Sequence, residues 1–203
     1  MDSDPPLPET LERLEALIEA QELDRSQLLD PAKLAIETAL PESTVRILLA
    51  GGVPPADTVD DRARARIRAL AIANLEATGR RMADLAAEVH TKTGVSEVWA
   101  RQVCDGKKTP NLDLLHGLVN FFGVKEGEAF FTAPADEALN RVLLPTLREL
   151  ESNAPDPVQA LMDRYGVRET DLRLHGSMTR RQLERLLEGV FRSVLPEEGD
   201  SRQ

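Results

Sequence analysis

Apolar residues recur at every third or fourth position through most of this chain, and that spacing places them on one face of an α-helix. Met82, Leu85, Ala86 and Val89 give the clearest example. Strong helix formers such as Ala, Leu, Arg and Glu are abundant, whereas no segment alternates apolar and polar residues for long. Aromatic residues make up only 3% of the chain, so the core has to be built from aliphatic side chains. The sequence therefore predicts an all-α protein.

Turn-rich segments divide the chain. The stretches 51–58 (GGVPPADT), 132–137 (TAPADE) and 151–157 (ESNAPDP) each interrupt the helical pattern, and in the last of them we expect no helix to run through Pro155 and Pro157. Thr10 is the expected N-cap of the first helix. We predict helices at 10–20, 33–39, 43–50, 58–77, 82–91, 96–104, 111–122, 136–150, 157–165 and 179–194.

The charge is distributed unevenly along the chain, whose formal net charge is −10. Residues 1–60 hold 4 basic and 13 acidic residues, and residues 133–203 hold 10 basic and 13 acidic residues. Residues 61–132 hold 11 basic and 9 acidic residues. Net acidity argues against non-specific binding of nucleic acid by the whole molecule, but the middle third can still face phosphates.

Residues with catalytic or metal-binding chemistry are sparse. Cys104 is the single cysteine, which excludes an internal disulfide and a cysteine-based zinc site. His90, His116 and His175 have no metal-ligand spacing, and no nucleophile–base set or glycine-rich phosphate loop is present. We expect no enzyme activity, no cofactor and no metal. The longest apolar runs, such as 45–50, are too short to span a bilayer, and the N-terminus is acidic, so we expect a soluble, cytoplasmic protein.

The segment 82–122 predicts a helix, a turn, a second helix, a glycine stop and a supporting helix. Gly94 supplies the turn, Ser96 caps the second helix, and Gly106 ends it in the left-handed conformation. Asn111 opens the supporting helix, on which Leu112, Leu115, Leu118 and Val119 are expected to pack. In such a unit the second helix can lie in the major groove of DNA, with its N-terminal residues at the base edges.

The outward side chains of this second helix have the chemistry that reads bases. Arg pairs with guanine, Gln with adenine, and Glu accepts from the cytosine amino group, while lysines and a threonine beyond the helix suit phosphates. A helical hairpin that binds nothing has the same packing, and a lysine pair after a helix is an ordinary solvated cap, so both interpretations stay open. The candidate DNA-binding residues are Ser96, Glu97, Val98, Trp99, Arg101, Gln102, Lys107, Lys108 and Thr109.

Residues 95–115 (VSEVWARQVCDGKKTPNLDLL) resemble the helix-turn-helix pattern of Xre/Cro repressors, and most closely that of actinobacterial nucleoid-associated regulators of the EspR type. The stretch 120–131 (NFFGVKEGEAFF) is similar to the end of that module, and 177–191 (SMTRRQLERLLEGVF) is similar to its dimerisation helix. The resemblance covers about residues 62–194 and implies a nucleoid-associated homodimer on double-stranded DNA. One departure from the general Xre pattern is that 90–96 (HTKTGVS) lengthens the turn by about four residues. Trp99 stacking on a sugar or thymine methyl and Trp99 packing on helix 82–91 stay equally open.

A second segment, 34–72, resembles the LacI-type helix-turn-helix. Taken literally, its reading residues are Glu42, Ser43, Thr44 and Arg46. Ile47, however, stands where a basic phosphate contact is common, and the region is strongly acidic. We favour a degenerate, structural unit whose apolar face packs against a neighbour, and the alternative is a tandem reader of one DNA site.

Two further patterns have two interpretations each. The arginines at 62, 64, 66 and 68 form adjacent ridges on a helix that suit either phosphates or salt bridges with Asp60, Asp61 or the acidic N-terminal third. The apolar stripe near the C-terminus suits either intramolecular packing or a two-fold dimer surface, and we favour the dimer. Its residues are Leu183, Leu186, Leu187, Val190 and Phe191, and a similar stripe upstream contains Leu139, Val142, Leu143, Leu147 and Leu150.

Together these patterns predict tandem helix-turn-helix units followed by a C-terminal helical dimerisation region. Residues 1–60 form an acidic N-terminal helical region with a degenerate helix-turn-helix. Residues 61–132 form an Xre-like DNA-binding domain, and 133–203 form the dimerisation region. The predicted function is sequence-specific, DNA-binding transcriptional regulation by a dimer. The alternative is a helical protein-interaction module that binds another regulator through its acidic N-terminal region.

Overall fold

The computed structural model describes residues 4–153 and the single position Arg185. Every regular element of that part is an α-helix, which confirms the all-α prediction. The chain divides into two compact units, Met1–Glu151 and Ser152–Gln203. The predicted helix 157–165 lies outside the described residues, and so does 179–194 except for Arg185, which is helical. The helices are α1 (Leu7–Ala20), α2 (Arg25–Leu28), α3 (Pro31–Thr38), α4 (Glu42–Leu49), α5 (Val59–Thr78), α6 (Met82–Thr93), α7 (Glu97–Cys104), α8 (Leu112–Phe122), α9 (Ala129–Thr132) and α10 (Ala135–Asn153).

The start of α1 differs from the prediction. The helix begins at Leu7, so Thr10 is not its N-cap; Thr10 already donates its backbone N–H to the Pro6 carbonyl (3.0 Å). Pro8 lies in the first turn, where a missing N–H costs no intrahelical hydrogen bond. The Thr10 side chain is fully buried, and its hydroxyl has no hydrogen-bond partner among the described residues. Prolines therefore mark a helix start here rather than a preceding loop.

A first core joins the N-terminal helices to α10. The predicted stripe on α10 is confirmed, because Leu139, Leu143 and Leu147 are buried and the flanking Val142 and Leu150 pack against the same cluster. The three-domain division stays a prediction, but within the described residues α10 shares its core with α1, α3 and α4. The buried members of this first core are Leu7, Leu14, Ile18, Leu29, Leu34, Val45, Leu48, Ala135, Leu139, Leu143, Leu144 and Leu147.

A second core holds α5 to α9 together. Helix α6 packs against α7 and α8, and α5 packs against α7 and α9. Leu112, expected in this core, is 79% exposed, because it occupies the first position of α8 and Leu114 turns inward instead. The buried members of the second core are Ala63, Ile67, Ala71, Leu85, Ala86, Val89, Ala100, Val103, Cys104, Leu114, Leu115, Leu118, Val119 and Phe131.

Two arginines of α5 hold the chain between the two cores. Arg62 donates from Nε to the Thr132 carbonyl (2.7 Å), and Arg66 donates to the carbonyls of Phe130 and Ala133, the latter at 2.8 Å. These acceptors lie at the end of α9, where backbone carbonyls lack helical partners. Half of the arginine run therefore serves as a clamp on the link into α10.

The described helices were compared with the length and apolarity that a membrane-spanning helix needs. None of them is both long enough and apolar enough to cross a bilayer. No group of three or more His, Cys, Asp or Glu residues in the same part of the chain is arranged to hold a metal ion.

Candidate nucleic-acid interface

The turn between α6 and α7 is shorter than expected. We expected the helix to end near residue 91 and the turn to be lengthened within 90–96, but residues 90–93 are all helical and extend α6 to Thr93. Gly94 ends the helix: it takes φ +75° and donates its N–H to the His90 carbonyl (2.8 Å). Thr93 fits the last turn because its hydroxyl donates to the Val89 carbonyl (2.7 Å). The additional residues therefore lengthen the first helix by about one turn, and only 94–96 connect it to α7.

Helix α7 begins as the sequence predicts. Ser96 is its N-cap, with Oγ accepting the N–H of Trp99 at 3.2 Å. Ala100, Val103 and Cys104 are buried against the second core. The pattern of one buried face leaves the opposite face of this short helix uncovered.

The uncovered face of α7 carries several of the predicted reading residues. Glu97 and Arg101 are exposed, and Val98 is 70% exposed. Trp99 and Gln102 are half-buried, and Trp99 packs against the second core. Part of the indole is thus used in packing, and contact of its remaining surface with DNA stays a prediction.

The C-terminal end of α7 lies against α5. Gly106 takes φ +73°, and the Lys107 N–H returns to the Gln102 carbonyl (2.9 Å), which closes the helix end. A side-chain carbon added at Gly106 would lie 3.1 Å from the Arg64 carbonyl oxygen and 3.1 Å from Arg68 Cβ. Glycine is therefore required here twice, for its backbone angle and for the close approach of α5.

Ion pairing separates the cations of the described chain into two groups. Most Lys and Arg side chains pair with a carboxylate, including Lys107, whose Nζ lies 3.1 Å from Asp105 Oδ2. Among residues 4–153, the exposed cations that form no ion pair are Arg68, Arg101, Lys108 and Lys125. The first three lie on or beside the C-terminal part of α7: Arg101 is one helical turn before Asp105, Lys108 is two residues after Gly106, and Arg68 approaches Gly106 from α5. We call Arg68, Arg101 and Lys108 the free cation cluster. Thr109, which follows it, is half-buried.

The second predicted unit has different electrostatics. Arg46 is the one cation among its four predicted reading residues, and it pairs with Glu42, another of the four, through Nε at 3.1 Å. Ser43 is exposed and Thr44 half-buried. The apolar face of α4 is buried in the first core through Val45 and Leu48.

Arg68 is the residue of this site that the sequence prediction left unassigned. It belongs to the arginine run, but its neighbours differ: Arg64 pairs with Asp61, whereas Arg62 pairs with Asp57 (2.6 Å) in addition to its clamp bond. The sequence shows the alternating arginines. It does not show the contact between α5 and Gly106, because that contact joins residues far apart in the chain.

The dimerisation stripe Leu183, Leu186, Leu187, Val190 and Phe191 lies outside the described residues. Comparison with known proteins gives no further guide: no protein-family profile, no curated protein and no solved structure matches the chain.

Proposed function

We propose that this chain is a sequence-specific DNA-binding transcriptional regulator that acts as a homodimer on double-stranded DNA, with α7 as its reading helix. The observation that carries the proposal is the free cation cluster. Three of the four exposed cations without an ion pair in residues 4–153 lie on α7, two residues after Gly106, or on the part of α5 that approaches Gly106. The acidic balance of the whole chain makes such a local concentration of uncompensated positive charge informative.

Uncompensated charge matters because phosphate binding derives its free energy from neutralisation and counterion release. A cation already paired with a carboxylate has to break that pair before it binds a phosphate. Arg68 and Lys108 carry no such cost, and they flank the end of α7 as phosphate contacts flank a reading helix. Arg101 lies on the uncovered face itself, where a guanidinium can pair with guanine.

A reading helix is expected to carry cations without ion pairs, and this expectation disfavours α4 as a second reading helix. Its Arg46 is already neutralised by Glu42, and its apolar face is committed to the first core. This supports the interpretation of residues 34–50 as a structural unit. The proposed dimer would bring two copies of α7 to half-sites about 10 base pairs apart or a multiple of that spacing.

Salt-dependent binding tests the proposal with single substitutions. The probe is a 30-base-pair duplex of mixed sequence, followed by fluorescence anisotropy between about 50 and 200 mM salt. We expect affinity to fall steeply with salt, and Arg68→Ala and Lys108→Ala each to reduce the slope of log K against log salt by about 1. Lys125→Ala is the matched control, because it removes another exposed cation without an ion pair, which follows the far end of α8.

The same binding measurements also distinguish DNA binding from the alternative function, a protein-interaction module. If Lys125→Ala weakens binding as much as Lys108→Ala, the cluster has no special role. If the wild-type chain is not retained on DNA at about 50 mM salt, the proposal fails and the protein-interaction module becomes the better explanation. That module would be tested by capture of a basic partner through residues 1–60.

A further inference from the structure

A groove of about 650 Å³, lined in part by both clamp arginines, lies between the N-terminal helices and α5. Its walls come from α1, from α4 and the loop after it, from α5, and from the start of α10. Most of the lining is apolar, with Leu11, Leu40 and Val53 among its residues, and Val53 is 91% exposed. Pockets that hold small molecules measure roughly 300–1,000 Å³ and combine apolar walls with a few polar groups. The size and lining therefore fit a small organic ligand.

Arg66 is the polar group that distinguishes this groove. It lines the groove and is only 1% exposed. Its two Nη atoms donate to backbone carbonyls, but its Nε–H has no acceptor, and it pairs with no carboxylate in residues 4–153. Burial is the main cause that lowers its pKa to about 10, so the guanidinium remains charged at neutral pH. A buried charge without a counter-ion is costly, and an anionic group nearby would remove that cost.

No carboxylate around the groove forms an ion pair with Arg66, although Asp57 and Glu137 favour its charge from a distance while Arg62 and Arg141 oppose it. Asp57 pairs with Arg62, and Asp61 pairs with Arg64 while it caps the start of α5. Asp136 is exposed at the rim and lies in the first turn of α10, where water and the helix dipole both stabilise a carboxylate. None of the three pairs directly with Arg66.

We propose that this groove is a ligand site for a small amphipathic carboxylic acid, whose apolar body covers the aliphatic walls and whose carboxylate binds Arg66. The site is separate from the free cation cluster, so it goes beyond the proposed DNA binding and does not depend on it. An anion placed against the guanidinium supplies the directly paired counter-charge that Arg66 lacks among residues 4–153.

Calorimetric titration of the full chain with three probes of equal length tests the ligand class. The probes are octanoate, 1-octanol and octyltrimethylammonium. We expect octanoate to bind at least tenfold more tightly than the other two. Ala65→Phe fills the groove from an exposed position of α5 and should weaken octanoate at least tenfold, whereas Ala73→Phe, exposed two turns further along the same helix and outside the groove, should leave it unchanged.

Arg66→Met should abolish the preference for octanoate over 1-octanol. Because this variant also loses two buried hydrogen bonds and can fail to fold, the comparison of Ala65→Phe with Ala73→Phe decides the matter on its own. The proposal is overturned if octanoate gives no binding, if 1-octanol or the ammonium probe binds as tightly, or if Ala65→Phe has no more effect than Ala73→Phe.

Discussion

Gly106 allows the packing of α7 against α5 to be tested by a matched pair of substitutions. Gly94 and Gly106 have almost the same backbone angle, φ +75° and +73°. Alanine at either position costs roughly 1–2 kcal/mol for the left-handed conformation and recovers roughly 0.4–1 kcal/mol by restricting the unfolded chain. At Gly94 that is the whole effect, because an added side-chain carbon meets nothing within 4 Å.

At Gly106 the added carbon meets α5 as well. It would lie 3.1 Å from the Arg64 carbonyl oxygen and 3.2 Å from Arg68 Cδ, so backbone has to move. Overpacking of this kind costs typically about 1–3 kcal/mol. We therefore expect Gly106→Ala to lower the free energy of unfolding by about 1–3 kcal/mol more than Gly94→Ala does.

Urea unfolding followed by the fluorescence of Trp99 measures this difference, since the single tryptophan lies on α7. Both variants need the same m-value as the wild type for the comparison to hold. If the two variants differ by less than about 0.5 kcal/mol, α7 does not end against α5, and the free cation cluster loses the contact that assembles it.

Three further predictions concern other parts of the chain. Burial and the charge of Asp105 raise the pKa of the Cys104 thiol to about 11, so its reaction with a thiol reagent at pH 8 should be roughly 100-fold slower than in the urea-unfolded chain; equal rates would contradict its burial. Leu143→Ala should cost about 2–5 kcal/mol in chemical unfolding, because Leu143 is 1% exposed in the first core, and a loss below about 1 kcal/mol would mean that α10 is not part of it. Hydrogen bonds from Thr58 hold the pKa of Asp61 in the folded chain below 3.8. The ionised Asp61 therefore stabilises α5 at pH values above its pKa in the unfolded chain, and this stabilisation is lost as the pH falls through its pKa in the folded chain. The difference in thermal midpoint between Asp61→Asn and wild type should accordingly shrink below about pH 4.

The local elements of the site follow from sequence because their causes are local. Ser96 and Asn111 cap α7 and α8 through their own side chains, and Gly106 ends α7 through its own backbone angle. The apolar stripe of α6 is buried as its spacing predicts, with Met82 partly buried at its edge. Each of these depends on residues within one helical turn of one another, which is the range that periodicity and capping rules describe.

The features that the sequence did not predict are very short helices and contacts between residues far apart in the chain. The four-residue helices α2 and α9 are too short to show a period, so no pattern predicted them. The burial of Arg66 contradicts the expectation of solvated or phosphate-binding arginines on α5, because its partners are carbonyls 64 and 67 positions away in sequence. The contact of Arg68 with Gly106 and the packing of α10 with α1 are likewise long-range. Neither the free cation cluster nor the groove is therefore visible in any short segment.

Selection from a pool of random duplexes at physiological salt tests most directly whether α7 reads DNA. We expect enrichment of one motif, present as two half-sites separated by about 10 base pairs or a multiple. We also expect Arg101→Ala to relax the motif at a single position of each half-site. A pool that emerges without an enriched motif, or a motif that is unchanged when Arg101 is replaced and when Arg68 and Lys108 are removed together, would contradict the proposal that α7 reads DNA.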